Sequence, residues 1–130
     1  MTPFAGFVDA LRLATDDGDR SRQTLCRWSV MSPDGAEVRA SCGTVIRPDG
    51  PLSDPRAFDY IVVVGGLLHD GPRIDPEIDD YLLRATQAKV TLVSLCTGVF
   101  TLLRLQLMAG RQCCVSWFHY RELVETFPDV

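Results

Sequence analysis

The pentapeptide Ser94-Leu95-Cys96-Thr97-Gly98 places a nucleophilic side chain between small neighbours. It follows an apolar run, residues 90–95, that reads as a strand, and it opens a helix-like run over residues 97–108. A strand that turns directly into a helix needs small residues two before and two after the junction, because the chain reverses there in contact with itself. This is the pattern of a nucleophile elbow, which lifts the Cys96 side chain above the sheet on a strained backbone. The mouth of a helix also favours thiolate over thiol. The backbone N–H groups of Thr97, and of Gly65 and Gly66 at the end of a neighbouring strand, are then the donors available to an oxyanion or a ligand. The competing interpretation is a cysteine packed beneath the helix, since cysteine is among the most buried residue types. Pattern alone leaves the two balanced.

A nucleophile that turns over needs a proton shuttle within hydrogen-bond reach. His69 follows the Gly65-Gly66 turn on the same edge of the sheet as Cys96, which makes it the one weak candidate, with a surface-loop histidine as the plainer reading. His119 opens a helix and reads first as a capping or packing residue. The five cysteines, Cys26, Cys42, Cys96, Cys113 and Cys114, form no CxxC pair, so neither a disulfide framework nor a zinc site is expected, and no metal or cofactor. Cys113 and Cys114, adjacent in an expected strand, point to opposite faces and cannot readily bridge.

These residues need a frame that holds strand ends beside helix starts. The chain has 130 residues, 46% of them hydrophobic and 23% charged, which suits one globular domain with a real core. Its 13 Lys and Arg against 17 Asp and Glu give a net charge of −4, the wrong sign for a free-standing nucleic-acid binder. No apolar run approaches the roughly 20 residues of a bilayer span, and Asp9 and Arg12 interrupt any secretory signal, so the cytoplasm is the expected compartment.

Thr2 and Pro3 read as cap and first position of a helix to about Ala14, with Phe4, Phe7, Val8 and Leu11 along one face. A charged loop over residues 16–22 follows. Residues 25–31 and 37–41 read as strands joined at Ser32-Pro33-Asp34-Gly35 in a hairpin. Residues 47–55 form a linker within the domain. Residues 59–64, apolar without alternation, read as a strand buried on both faces, so that Ile61, Val63, Leu92 and Val93 should all be buried. Asp75 and Pro76 start a second helix striped by Ile78, Tyr81, Leu82 and Ala85. The third helix, over 97–108, should sit deep, and residues 113–117 read as one more strand before a short helix at 119–127. The alternation gives a layered α/β domain in which residues 60–64 and 90–95 are adjacent parallel strands.

Three stretches carry a family resemblance: Asp59-Tyr60-Ile61-Val62-Val63-Val64-Gly65-Gly66, then Val93-Ser94-Leu95-Cys96-Thr97-Gly98-Val99-Phe100, then Gly110-Arg111-Gln112-Cys113-Cys114-Val115-Ser116-Trp117-Phe118-His119 with Phe127-Pro128-Asp129-Val130. In this order they resemble the N-terminal domain of GlxA-type transcriptional regulators, which is similar to the DJ-1/PfpI, or class I glutamine amidotransferase-like, superfamily and precedes an AraC-type helix-turn-helix pair. The resemblance implies a flavodoxin-like three-layer α/β sandwich with a mostly parallel sheet, present as a single partial domain over residues 1–130. Its first strand, its C-terminal elements and the helix-turn-helix region are expected to be missing. The implied function is a regulatory ligand-sensing or dimerisation domain without its own DNA-binding domain. The implied partners are a small-molecule ligand and a second copy of the chain, with no DNA contact by this chain and no membrane.

Two alternatives stand beside that reading: a cysteine-dependent hydrolase or glyoxalase-type enzyme, and a non-functional fragment of a regulator gene. Hydrolases of the superfamily pair the elbow cysteine with a histidine and with a glutamate from the start of the first helix. Here the helix opens Thr2-Pro3-Phe4 without an acid, Thr97 follows the cysteine, and Ser116 stands where relatives often place histidine. These departures weigh against an enzyme, since loss of the base lowers hydrolysis by about 10²–10⁴.

Overall fold

The spacing of Phe4, Phe7, Val8 and Leu11 does form a helix, α1 (Thr2–Thr15), with all four half-buried along one face. The computed structural model describes residues 1–16, 18–69 and 74–130, so Asp17 of the charged loop lies outside the described residues. They gather into two units, Met1–Ser53 and Asp54–Val130. In the first, Thr2 is already helical and the cap position falls on Met1, which makes no side-chain capping bond. The turn after α1 is closed instead by Asp16, whose carboxylate accepts from the Ser21 N–H at 2.6 Å, and by the Thr24 hydroxyl donating to Thr15 O.

The hairpin expected across residues 25–41 does not form. The turn is present, with Gly35 N–H donated to Ser32 O and Gly35 at φ +77°, but its flanks pair elsewhere. β1 (Met31–Ser32) runs parallel to β4 (Gly50–Pro51), and β2 (Val38–Arg39) pairs antiparallel with β3 (Val45–Ile46). Two physical reasons account for the difference. Asp49 captures the chain before β1: its carboxylate accepts from Val30 N–H at 2.7 Å, while its own N–H is donated to Val30 O at 2.7 Å. Gly43, at φ +86°, supplies the left-handed residue that a tight turn between β2 and β3 requires, with Gly43 N–H donated to Ala40 O. Of the run over 25–31 only Met31 is in a strand, and Leu25 is exposed.

The second unit carries the parallel pair expected from the sequence. β5 (Tyr60–Val64) and β6 (Thr91–Leu95) lie side by side in parallel, in register from Tyr60 opposite Thr91 to Val64 opposite Leu95. The crossover is α2 (Pro76–Gln87), capped as its sequence dictates: the Asp75 carboxylate accepts from the N–H groups of Glu77 and Ile78. Tyr81, Leu82 and Ala85 are buried, and Ile78 is half-buried. The helix closes in a Schellman arrangement, with Val90 N–H donated to Ala85 O, Lys89 N–H to Thr86 O, and Lys89 in the left-handed region at φ +62°. Lys89 therefore ends a helix, and the strand begins two residues later.

The apolar run that follows gives α3 (Gly98–Arg104), with Gly98, Val99, Phe100, Leu102 and Leu103 buried. It stops well short of residue 108, because Gln106 at φ +58° closes another Schellman turn, with Leu107 N–H donated to Leu102 O. Residues 113–117 form no strand. Cys113 and Val115 instead turn half-buried side chains onto the cluster of Val99, Phe100, Leu103 and Leu123. A 3-10 turn (Trp117–His119) leads into α4 (Tyr120–Thr126). Of the four strand residues expected in the core, Ile61 is buried at 7% exposure, whereas Val63, Leu92 and Val93 are half-buried. Among the described residues β5 and β6 pair only with each other, so fewer neighbours cover them than a wide sheet would supply.

Candidate functional site

Cys96 is the residue at which β6 becomes α3, and its backbone is left-handed, at φ +54°. A non-glycine residue there stores strain of about 1–3 kcal/mol, which persists only where the surroundings hold it. Two glycines do the holding. A Cβ on Gly65 would collide with the Thr97 side chain and with the Gly98 backbone, and a Cβ on Gly98 would collide with the carbonyl oxygen of Val63. The end of β5 and the start of α3 are thus in backbone contact, closer than any other residue type allows.

Thr97 locks the junction. Its buried hydroxyl donates to Gly66 O at 2.7 Å, tying the turn after β5 to the first turn of α3. Gly65 N–H is donated to Leu95 O at 3.1 Å and continues the ladder by one rung. Of the three backbone donors considered from the sequence, Gly65 is therefore committed to the sheet, and the N–H groups of Gly66 and Thr97 remain those to consider for a ligand. Cys96 itself is exposed, so it fills no place in the core. The structure accordingly brings Gly65, Gly66, Cys96 and Thr97 together at the carboxyl ends of adjacent parallel strands, where open α/β sheets receive ligands.

His69 lies exposed in the turn beyond Leu68, next to residues 70–73, which are outside the described residues. His119 is a packing residue: half-buried, with Nδ1 3.1 Å from Glu122 Oε2 and its ring meeting those of Phe100 and Phe118 edge to face. Ser116 is exposed, and its carbonyl accepts from His119 N–H at 3.0 Å. Among the described residues no group of three or more His, Cys, Asp or Glu is placed to hold a metal ion. None of their helices is long and apolar enough to cross a membrane.

Sequence reasoning passed over one thiol. Cys42 sits exposed in the turn between β2 and β3, with Sγ 3.4 Å from Thr44 Oγ1. The hydroxyl and backbone N–H of Thr44 stabilise the thiolate and hold this group below the usual cysteine range. The signal was the Cys42-Gly43-Thr44 triplet, a turn glycine with a hydroxyl two residues after the thiol.

Comparison with known proteins sets these residues in a family. The sequence profile of the DJ-1/PfpI family matches residues 18–127. The HTH-type transcriptional regulator GbdR of Pseudomonas aeruginosa is 32% identical over 130 residues, which is 100% of this chain and 34% of that protein. The HTH-type transcriptional regulator CdhR of Pseudomonas aeruginosa is 30% identical over 127 residues, 98% of this chain and 36% of its own length. An uncharacterised protein from the cpoL 5′ region of Streptomyces lividans is 31% identical over 103 residues, 79% of this chain and 73% of that one. The chain thus spans about a third of the length of the two regulators. No solved structure matches it.

Proposed function

The chain belongs to the DJ-1/PfpI family, with the flavodoxin-like α/β fold of that family, and on that premise we propose that residues 1–130 are a single partial domain that senses a small molecule or mediates dimerisation in a GlxA-like regulatory protein. The carrying observation is the alignment with GbdR, which runs the full length of this chain and covers about a third of that transcriptional regulator. The elbow then serves as a binding platform, with Cys96 at its rim and the N–H groups of Gly66 and Thr97 facing a polar group of the ligand. With net charge −4, these residues carry no sequence-specific DNA affinity of their own. The compartment is the cytoplasm.

A second reading, a cysteine-dependent hydrolase or glyoxalase-type enzyme, is favoured by one observation, the exposed and strained Cys96. One experiment separates the two. Labelling with a limiting thiol reagent, read by peptide mass spectrometry, should modify Cys96 first, ahead of the exposed Cys42, whose thiolate Thr44 stabilises. Hydrolase and glyoxalase assays on the same sample should show no activity that Cys96→Ser removes. Labelling of Cys96 no faster than of the half-buried Cys26 and Cys113 would end the elbow reading. Turnover abolished by both Cys96→Ser and His69→Ala would replace the regulatory reading with the enzymatic one.

A further inference from the structure

The stretch between α3 and α4 carries two adjacent thiols that the elbow does not use. Cys113 is half-buried, its side chain packed against the core cluster of Val99, Phe100, Leu103 and Leu123, whereas Cys114 is exposed. A strand would hold two such neighbours on opposite faces, because its ladder fixes the backbone between them. No strand forms here. Arg111 N–H is donated to Met108 O, and the Ser116 carbonyl accepts from His119 N–H, but between these two bonds the backbone of residues 112–115 makes no hydrogen bond among the described residues. The segment is held by the burial of two side chains, Cys113 and Val115. The obstacle that a strand would pose to a bridge between the two thiols is therefore absent.

We propose that Cys113 and Cys114 are a peroxide-responsive pair, which closes to a vicinal disulfide, withdraws Cys113 from the core cluster and loosens α4. The exposed Cys114 thiolate attacks one oxygen of hydrogen peroxide; the O–O bond breaks, the sulfur is oxidised to sulfenic acid and hydroxide leaves. The Cys113 thiolate then attacks the Cys114 sulfur; the S–S bond forms, the S–O bond breaks and a second hydroxide leaves. The two thiol protons end on the two hydroxides, so two thiols and one peroxide become one disulfide and two waters. Both sulfurs must then lie on one side of the chain, and ring closure turns Cys113 away from Val99 and Phe100. Leu123 of α4 belongs to the same cluster and Phe127 packs against it, so the loss is felt there. Adjacent Cα atoms stand about 3.8 Å apart, closer than the roughly 4.4–6.8 Å of an ordinary disulfide. The ring is accordingly strained and readily reduced, which suits a reversible switch in a reducing compartment and not a structural staple. The inference does not rest on the elbow reading.

Trypsin cuts after Arg111 and Arg121 and leaves both sulfurs in one peptide, Gln112–Arg121. After the reduced chain is treated with hydrogen peroxide and alkylated, this peptide should be lighter by two hydrogens and unalkylated at both cysteines. Dithiothreitol should return it to the doubly alkylated form. Amide exchange in α4 and over Val99–Leu103 should quicken at least about fivefold on oxidation and recover on reduction. Cys114→Ser, a change at an exposed position, should keep the exchange pattern of the reduced wild type and lose the response to peroxide. Cys96→Ser should keep both the ring and the response, which separates this pair from the elbow. A peptide still doubly alkylated when peroxide has already oxidised Cys96, a disulfide from Cys113 or Cys114 to another cysteine or another chain, or a ring that forms with exchange in α4 unchanged would overturn the proposal.

Discussion

Residues 1–53 and 54–130 are held by different forces. In the second unit the described core is apolar: Ile61, Tyr81, Leu82, Ala85, Val99, Phe100, Leu102, Leu103 and Leu123 are all buried. In the first, the buried residues among those described are Thr15 and Ser32, both polar. Its short strand pairs are fixed by side chains that bond backbone, as Asp49 does to Val30 and as Ser32 does by donating to Ala36 O. A net hydrogen bond contributes about 0.5–1.5 kcal/mol, against about 1.5–3 kcal/mol for each fully buried large apolar side chain. The second unit should therefore set the global stability, while the first opens locally at much lower cost.

The sharpest way to break that comparison is to empty the apolar core. Phe100→Ala should cost about 3–5 kcal/mol, because Phe100 is 1% exposed and its ring meets Phe127 and His119 edge to face. Gly98→Ala should have a similar effect by another route, since its Cβ would land on the Val63 carbonyl and force β5 away from α3. Denaturant unfolding gives the loss, and amide exchange gives its location. Slow exchange in β5, β6 and α3 of the wild type should collapse in both variants, with little change in residues 29–51. Equally slow exchange in β1 and β4 of the wild type would contradict the division of forces.

A smaller effect is expected where the second unit relies on charge. Arg104 forms a two-pronged pair with Asp79, 2.7 Å from Nη1 to Oδ2 and 2.5 Å from Nη2 to Oδ1, which fastens α3 to α2. The hydrogen bonds and charge of the Asp79 carboxylate raise the Arg104 pKa further, so the guanidinium stays charged. Arg104→Ala should cost about 1.5–3 kcal/mol, the range for hydrogen bonds to charged partners. The loss should shrink markedly when Asp79 is already Ala, measured as a double-mutant cycle.

How far each region could be read from sequence follows the same division. The Asp75-Pro76 cap, the Tyr81-Leu82-Ala85 stripe and the two strands of the parallel pair were legible, because burial leaves a periodic imprint and a cap has its own residue signature. Gly98 was legible as a small residue at an elbow and Gly65 as a turn residue at the end of the neighbouring strand, although the collisions that demand them became visible only once β5 and α3 were placed. The hairpin over residues 25–41 was misread, because Asp49, about twenty residues away, decides where the chain near Val30 pairs. No local window contains that information. The end of the third helix was misread for a related reason: a left-handed helix stop is usually announced by glycine, and here the non-glycine Gln106 takes it.

Within the first unit the expected losses are smaller still. Asp49→Ala removes the carboxylate that accepts from Val30 N–H and should cost about 1 kcal/mol, seen as faster exchange confined to residues 29–32 and 49–51.

The smallest expected effect is a pH dependence at Asp16. Burial of this carboxylate pushes its pKa up, but the backbone N–H groups of Ser21, Arg22 and Arg20, with the Arg22 charge, outweigh that and hold it below the usual aspartate range. A carboxylate depressed in the folded state adds stability that is complete above the ordinary aspartate value of about 4 and fades as the pH falls below it. The turn after α1 should thus loosen in acid before the apolar core responds. Exchange of the Ser21 and Arg22 amides between pH 6 and pH 3, corrected for intrinsic rates, should lose protection towards the lower end, while β6 and α3 keep theirs. Asp16→Asn retains an oxygen that can accept from Ser21 N–H but does not titrate, so its protection should be lower at pH 6 and flat with pH. A wild-type turn that is equally flat would mean that Asp16 is not what closes it, and the first unit would need a different clasp.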